Sequence, residues 1–176
     1  MTSDETLFLE FRRGSEAAFN ELFARYREPL FGFFFRRLTD RERAEDLAQD
    51  TFVAVMKGRE RYEPRSPVRS YLYGIALKIV AAEKRKRANH RTTELVAEPG
   101  VASGVEAGLA VRKALALLED TEREIVMLRE YEELSYAEIA VLLRIPVNTV
   151  RSRLFRARMA LKAYLEPLPA GDETCR

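Results

Sequence analysis

Everything else in this chain has to accommodate one stretch, LSYAEIAVLLRIPVNTVRSRLFRARMAL, residues 134–161. Ser135 followed by Glu138 has the spacing of a capping box, in which the hydroxyl accepts a backbone N–H and the carboxylate reaches back. Ile139, Leu142 and Leu143 then form one apolar stripe. Arg144-Ile145-Pro146 interrupts it, and Pro146 suits a first helical position, where no backbone donor is needed. Val147, Val150, Leu154, Ala157 and Leu161 resume at helical spacing and are expected to face inward. The opposite face carries Asn148, Thr149, Ser152, Phe155 and Arg156, flanked by Arg151, Arg153 and Arg158. From Arg144 to Lys162 there are six basic residues and no acidic one. Two short helices, a tight turn and a basic second member make the plan of a helix-turn-helix, whose second helix enters the DNA major groove. On pattern alone a solvated helix whose arginines merely cover surface stays open.

The N-terminal half is also helical in pattern, with no β-type alternation. Phe19, Leu22, Phe23, Tyr26, Leu30 and Phe33 follow helical spacing between Glu16 and Leu38, and Pro29 is expected to kink or break that helix. The cluster Phe31, Phe33, Phe34, Phe35 is assigned mostly to core. Residues 40–57 form a second helix, with Ala44, Leu47, Ala48, Thr51, Phe52 and Val55 on one face. Its other face collects Asp46, Gln49, Asp50 and Lys57 around Val53. An apolar residue ringed by carboxylates is either a docking spot or a stray Val on a solvated face.

A loop follows, Gly58 to Ser66, with Arg59, Arg61, Arg65 and Tyr62. Ser66-Pro67 has the form of an N-cap with proline at the first helical position. In the next helix Val68, Tyr71, Leu72, Ile75, Ala76, Ile79 and Ala82 face one way. Arg69, Ser70, Tyr73, Leu77 and Lys84 are expected on the other face or its edge. Basic groups interleaved with aromatics suit single-stranded DNA, since charge follows the backbone and rings stack on bases. Core aromatics beside a soluble loop would give the same pattern. Lys84 to Arg87, with Arg91, close the helix, where cations complement its C-terminus and would equally add affinity for duplex phosphates.

Several function classes are excluded. Asp46 and Asp50 share a helix face, yet no histidine, third carboxylate or glycine-rich loop accompanies them, and His90 stands alone in a basic stretch. Without converging groups of matched type, neither an enzyme nor a metal or cofactor site is expected. No apolar run approaches the ~18 residues of a membrane span, and MTSDETLFLE is no signal peptide. Cys175 is the only cysteine, so no intrachain disulfide forms and a cytoplasmic setting is expected. The net charge of +2 hides separate basic patches, and for nucleic acid the local field matters more than the sum.

The stretch at 134–161 resembles region 4 of the sigma-70 family, in particular its extracytoplasmic-function (group IV) sigma factors. Two positions depart from that pattern: Arg144 and Asn148 stand where glycines are usual. An arginine held in a left-handed conformation would cost roughly 1 kcal/mol. AEDLAQDTFVAVM (44–56) resembles region 2.2 of the same family, which clamps a coiled coil of the largest polymerase subunits. RSPVRSYLYGIALKIVAAEKRKR (65–87) resembles regions 2.3 and 2.4, which open the −10 element and hold a flipped base.

The resemblance implies an all-α chain of two small helical domains: a region 2-like bundle at 1–87 and a region 4-like helix-turn-helix at 109–166. A flexible linker at 88–108 would join them, and a tail would follow at 167–176. It implies docking on core RNA polymerase through Asp46, Gln49, Asp50 and Val53. The melted −10 strand would meet Arg61, Tyr62, Arg65, Ser66, Arg69, Tyr73 and Lys84. The −35 duplex would be read by Asn148, Thr149, Arg151, Ser152, Phe155 and Arg156. Promoter DNA, core polymerase and an anti-sigma factor are the implied partners. The alternative is a helix-turn-helix regulator that binds an operator without acting as a sigma subunit; DLAQDTF (46–52) speaks against it, because a repressor has no use for a polymerase clamp.

Overall fold

The computed structural model describes residues 2–63, 66–91 and 106–165, and among them only helices and turns occur. The chain divides into two compact units, 1–102 and 103–176.

The first unit begins with a helix the sequence reading missed. Helix α1 spans Asp4–Arg12; Ser3 caps it by accepting from the Thr6 N–H, and Asp4 and Glu5 favour its positive end. Leu7, Phe8 and Phe11 are buried. Helix α2 (Glu16–Leu38) runs through Pro29 without ending there. A mid-helix proline forfeits one hydrogen bond at a cost of about 3 kcal/mol. Leu22, Tyr26, Leu30, Phe33, Phe34 and Leu38 outweigh that cost by burying one stripe on both sides of the exposed proline. Thr39 then turns the chain at φ 57°, and Asp40 caps α3 (Arg41–Gly58) by accepting from the Arg43 N–H. All six residues assigned to the inner face of α3 are buried. A 3-10 turn, Arg59–Arg61, leads toward α4 (Val68–Arg91).

Helix α4 packs against α1, α2 and α3. With neighbours on three sides it buries a wider arc than one stripe: Ser70, Tyr73, Val80 and Glu83 are buried with Val68, Leu72 and Ala76. The expectation that Ser70 and Tyr73 face outward is therefore overturned, and Ala82, expected inward, is exposed. Helix α4 also starts one residue later than Ser66-Pro67 suggested: the Pro67 carbonyl accepts from the Tyr71 N–H, 3.1 Å away. The α3–α4 ends are fastened by a charged cluster. Arg43 donates to both oxygens of Glu83 (3.1 and 2.8 Å), and Arg87 reaches Glu83 and Asp40. The Arg43 guanidinium, ahead of Arg87, holds the Glu83 carboxyl below the usual carboxylate range. Burial, then a hydrogen bond to Asp4, raises the Tyr26 phenol, which ties α2 to α1.

The second unit contains α5 (Glu106–Ala116), α6 (Asp120–Glu130), α7 (Tyr136–Leu143) and α8 (Val147–Leu165). Helix α4 runs past residue 87 and α5 opens before 109, so both helices enter the span read as linker. Arg123 of α6 caps the end of α5, donating to the carbonyls of Leu115, Ala116 and Leu118. Helix α8 packs on α5, α6 and α7, with Val150, Leu154 and Ala157 buried and Val147 and Leu161 at the margin.

Candidate nucleic-acid and polymerase interfaces

The turn between α7 and α8 fixes how the basic helix is presented. The capping box forms in full: Ser135 Oγ accepts from the Glu138 N–H (3.2 Å) and the Ser135 N–H donates to Glu138 Oε2 (2.8 Å). Arg144 closes α7 at φ 55°, ψ 45°. Its N–H donates to the Val141 carbonyl (3.3 Å) and the Ile145 N–H to that of Ala140 (3.0 Å), a Schellman closure. Pro146 stands one place before the first helical residue, its carbonyl accepting from Thr149 and Val150. Asn148, the other departure from the family pattern, lies within the first turn of α8.

Along α8 the face opposite the core carries Asn148, Arg151, Ser152, Phe155 and Arg156, all exposed, and Thr149 at its edge. Phe155 is 67% exposed, an apolar ring with no core to enter. Ser152 Oγ donates to the Thr149 carbonyl, 3.1 Å away. Arg156 Nη2 lies 3.2 Å from Glu122 Oε1, and Arg158 binds Glu130, so two acids of α6 hold arginines of α8. Met159, 51% exposed, extends the apolar part of this face one turn beyond Phe155. Its i+4 spacing from Phe155 was readable in the sequence.

On α3 the residues Asp46, Gln49, Asp50 and Val53 are all exposed, Val53 at 39%. Met56, three residues on and 41% exposed, continues the strip and was not singled out in the sequence. Asp46 has an ion-pair partner one turn back, Arg43 at 3.7 Å.

The set assigned to single-stranded DNA divides. Arg61, Ser66 and Lys84 are exposed, and Arg69 is half-buried. Arg65 lies outside the described residues. Tyr62 and Tyr73 are each 2% exposed, so neither ring offers a face for stacking and both assignments to the strand are corrected. Tyr73 packs with Phe33, centroids 5.4 Å apart. Tyr62 lies against Phe8 at 4.4 Å, donates its hydroxyl to the Ser66 carbonyl (2.7 Å) and accepts from Arg12 Nη1 at its own carbonyl. Glu5 Oε1 accepts from the Val68 N–H (3.3 Å) at the start of α4. Helix α1 thus anchors both ends of the loop, a role no local pattern in the loop reveals.

Two family models match the chain, Sigma-70 region 2 over residues 22–90 and Sigma-70, region 4 over 108–161. The RNA polymerase sigma factor YlaC of Bacillus subtilis is 32% identical over 153 residues, covering 81% of this chain and 88% of the relative. The chain belongs to the sigma-70 family of sigma factors. Within it, the extracytoplasmic-function (ECF) RNA polymerase sigma factor SigW of Bacillus subtilis is 28% identical and covers 90% of this chain and 95% of its own. The solved structure of CnrH in complex with the cytosolic domain of CnrY has a TM-score of 0.70 at 28% identity. It covers 93% of this sigma factor and 97% of that chain. This is an ECF sigma factor, the subunit that directs bacterial core RNA polymerase to specific promoters. The region 2 match decides against a regulator built on a helix-turn-helix alone.

Among the described residues no group of three or more His, Cys, Asp or Glu side chains is placed to hold a metal ion, and no helix is long and apolar enough to cross a membrane.

Proposed function

We propose that the two units divide promoter recognition between duplex and melted DNA. The unit ending in α8 reads the −35 element as duplex, through Asn148, Thr149, Arg151, Ser152, Phe155 and Arg156. Base-edge contacts supply selectivity and phosphate contacts supply register. The unit containing α3 docks on core polymerase through Asp46, Gln49, Asp50 and Val53. It captures the melted −10 strand with Arg61, Ser66, Arg69 and Lys84, and with Arg65 by family resemblance. Tyr62 and Tyr73 take no part in stacking. The observation that carries the reading is the face of α8: six basic residues from 144 to 162 without an acid, around an exposed Phe155.

Polymerisation chemistry belongs to the partner, and this chain supplies only binding energy. The setting is the cytoplasm, where core polymerase and promoters are. An anti-sigma factor holds the chain inactive; CnrH, a relative of the same fold, is likewise solved with a protein partner, the cytosolic domain of CnrY.

Run-off transcription tests the proposal, with core RNA polymerase and a pool of the host's promoter fragments, with and without the protein. The expected result is a set of transcripts that start downstream of one shared motif pair only when the protein is present. Duplex binding without initiation would refute it.

A further inference from the structure

The arginines of α8 are not equivalent. Arg151 is exposed and has no acidic partner among the described residues, whereas Arg156 is held by Glu122 across the α6–α8 contact. The two partners sit in different surroundings: the Glu122 side chain is 13% exposed and that of Arg156 is 63% exposed. Glu122 belongs to a helix anchored by buried Ile125, Val126, Met127 and Leu128, so the carboxylate is the fixed member of the pair. The contact is an ion pair to one nitrogen rather than a hydrogen bond, and a guanidinium has five N–H donors. The fork is left free to address a base edge, while the charge of the carboxylate favours this placement of the guanidinium.

We infer that Glu122 is a positioning residue for promoter reading: it holds the Arg156 fork ready for one base pair of the −35 element and raises discrimination at that pair. The inference rests on the assignment of α8 to duplex DNA. Two physical effects act in the same direction. A braced arginine reaches bidentate geometry with less loss of rotamer freedom than a free one, and that geometry is available at the correct base alone. A carboxylate among the arginines also opposes phosphates, and nonspecific binding depends almost wholly on phosphate charge. Specific binding recovers the opposed part through the base contact, whereas nonspecific binding does not. Arg151, unbraced, suits a phosphate that fixes register. Glu130 and Arg158 form a second α6–α8 pair, joined by two hydrogen bonds, but both side chains are about half exposed, at 47% and 51%, and Arg158 lies on the flank of the DNA face. That pair serves as a control.

The experiment uses holoenzyme assembled from core polymerase and the full chain. The probes are the promoter duplex recovered by run-off transcription, versions carrying single −35 substitutions, and a scrambled duplex, each over a range of salt. Glu122→Gln is expected to lower discrimination about fivefold at the one base pair that Arg156→Ala also relaxes. It is also expected to tighten binding to the scrambled duplex and steepen its salt dependence. Glu122→Asp keeps the charge but withdraws the carboxylate by one methylene. It should lose discrimination at the same pair and leave the scrambled duplex unchanged, which a fold-wide disturbance would not do. Glu130→Gln should relax no base pair. If Arg156→Ala relaxes one pair and neither Glu122 variant does, the brace is refuted while the reading of α8 stands. If both Glu122 variants tighten specific and scrambled duplex equally, the acid is a competitor and the inference is wrong. If Arg156→Ala weakens all sequences alike, the base-reading assignment itself fails, and the brace with it.

Discussion

Replacing Arg144 with glycine should stabilise the second unit, although it removes a side chain and adds no contact. Arg144 closes α7 in the left-handed region at φ 55°, ψ 45°, where the Cβ of an L-residue crowds the following carbonyl. That crowding costs about 1–2 kcal/mol in a residue with a side chain and nothing in glycine. Glycine is also freer in the unfolded chain, which returns about 0.5–1 kcal/mol of the gain. A net stabilisation of about 0.5–1 kcal/mol remains, equivalent to a rise of about 2–8 °C in Tm for a unit of this size. The Schellman hydrogen bonds are backbone bonds from residues 144 and 145, so they survive the change. The measurement is native-state hydrogen exchange on the full chain without DNA, read on peptides of α7 and α8, with thermal unfolding alongside. Arg144→Ala is the decisive comparison, because alanine keeps the Cβ and the positive φ and should gain nothing. If the glycine variant is no more stable than the alanine variant, the left-handed residue stores no strain and the reasoning is wrong.

Phe8→Ala should cost the first unit about 3–5 kcal/mol in chemical denaturation, because Phe8 is fully buried under the loop anchor; a loss under 1 kcal/mol would mean that α1 is dispensable. Val53→Arg or Asp50→Arg should weaken binding to core polymerase while leaving duplex affinity of the second unit intact; equal loss of both would count against the docking strip. Glu83→Gln should cost about 1.5–3 kcal/mol at neutral pH by breaking charge-assisted hydrogen bonds to Arg43 and Arg87. The folded Glu83 carboxyl lies below its unfolded value of about 4.3, so its contribution is full above that pH and fades as pH falls through the depressed folded value. The Tm gap between wild type and variant should therefore begin to narrow below about pH 4 and close as pH falls further; a gap independent of pH would exclude the ionised cluster as its cause.

What was legible in the sequence was whatever a single face could report. Helix α3 has partners on one side, and its inner and outer residues separate as the periodicity demands. The α7–α8 turn announces itself through a capping box and a proline. Helix α4 was misread at Tyr73 because three helices flank it, and no stripe drawn on one helix counts its neighbours. Tyr62 was misread for a related reason. An aromatic among arginines looks like a base platform until a helix 50 residues upstream in sequence, at Arg12, is seen to cover it. Helix α1 itself is short, nine residues, and its signal was small: Ser3 before two acids, then Leu7, Phe8 and Phe11. Pro29 does not break α2, because burial along the whole helix outweighs one lost hydrogen bond.

The placement of Phe155 has a spectroscopic consequence. Nine of the ten phenylalanines fall in the first unit, and the tenth is the exposed ring on the face of α8. Nine rings in or beside an aromatic core and one in water differ in environment. Uniform incorporation of fluorophenylalanine would then give one fluorine signal from an exposed ring beside nine from buried or half-buried ones. That signal needs no engineered label, and it would report when the face of α8 is covered and when it is released.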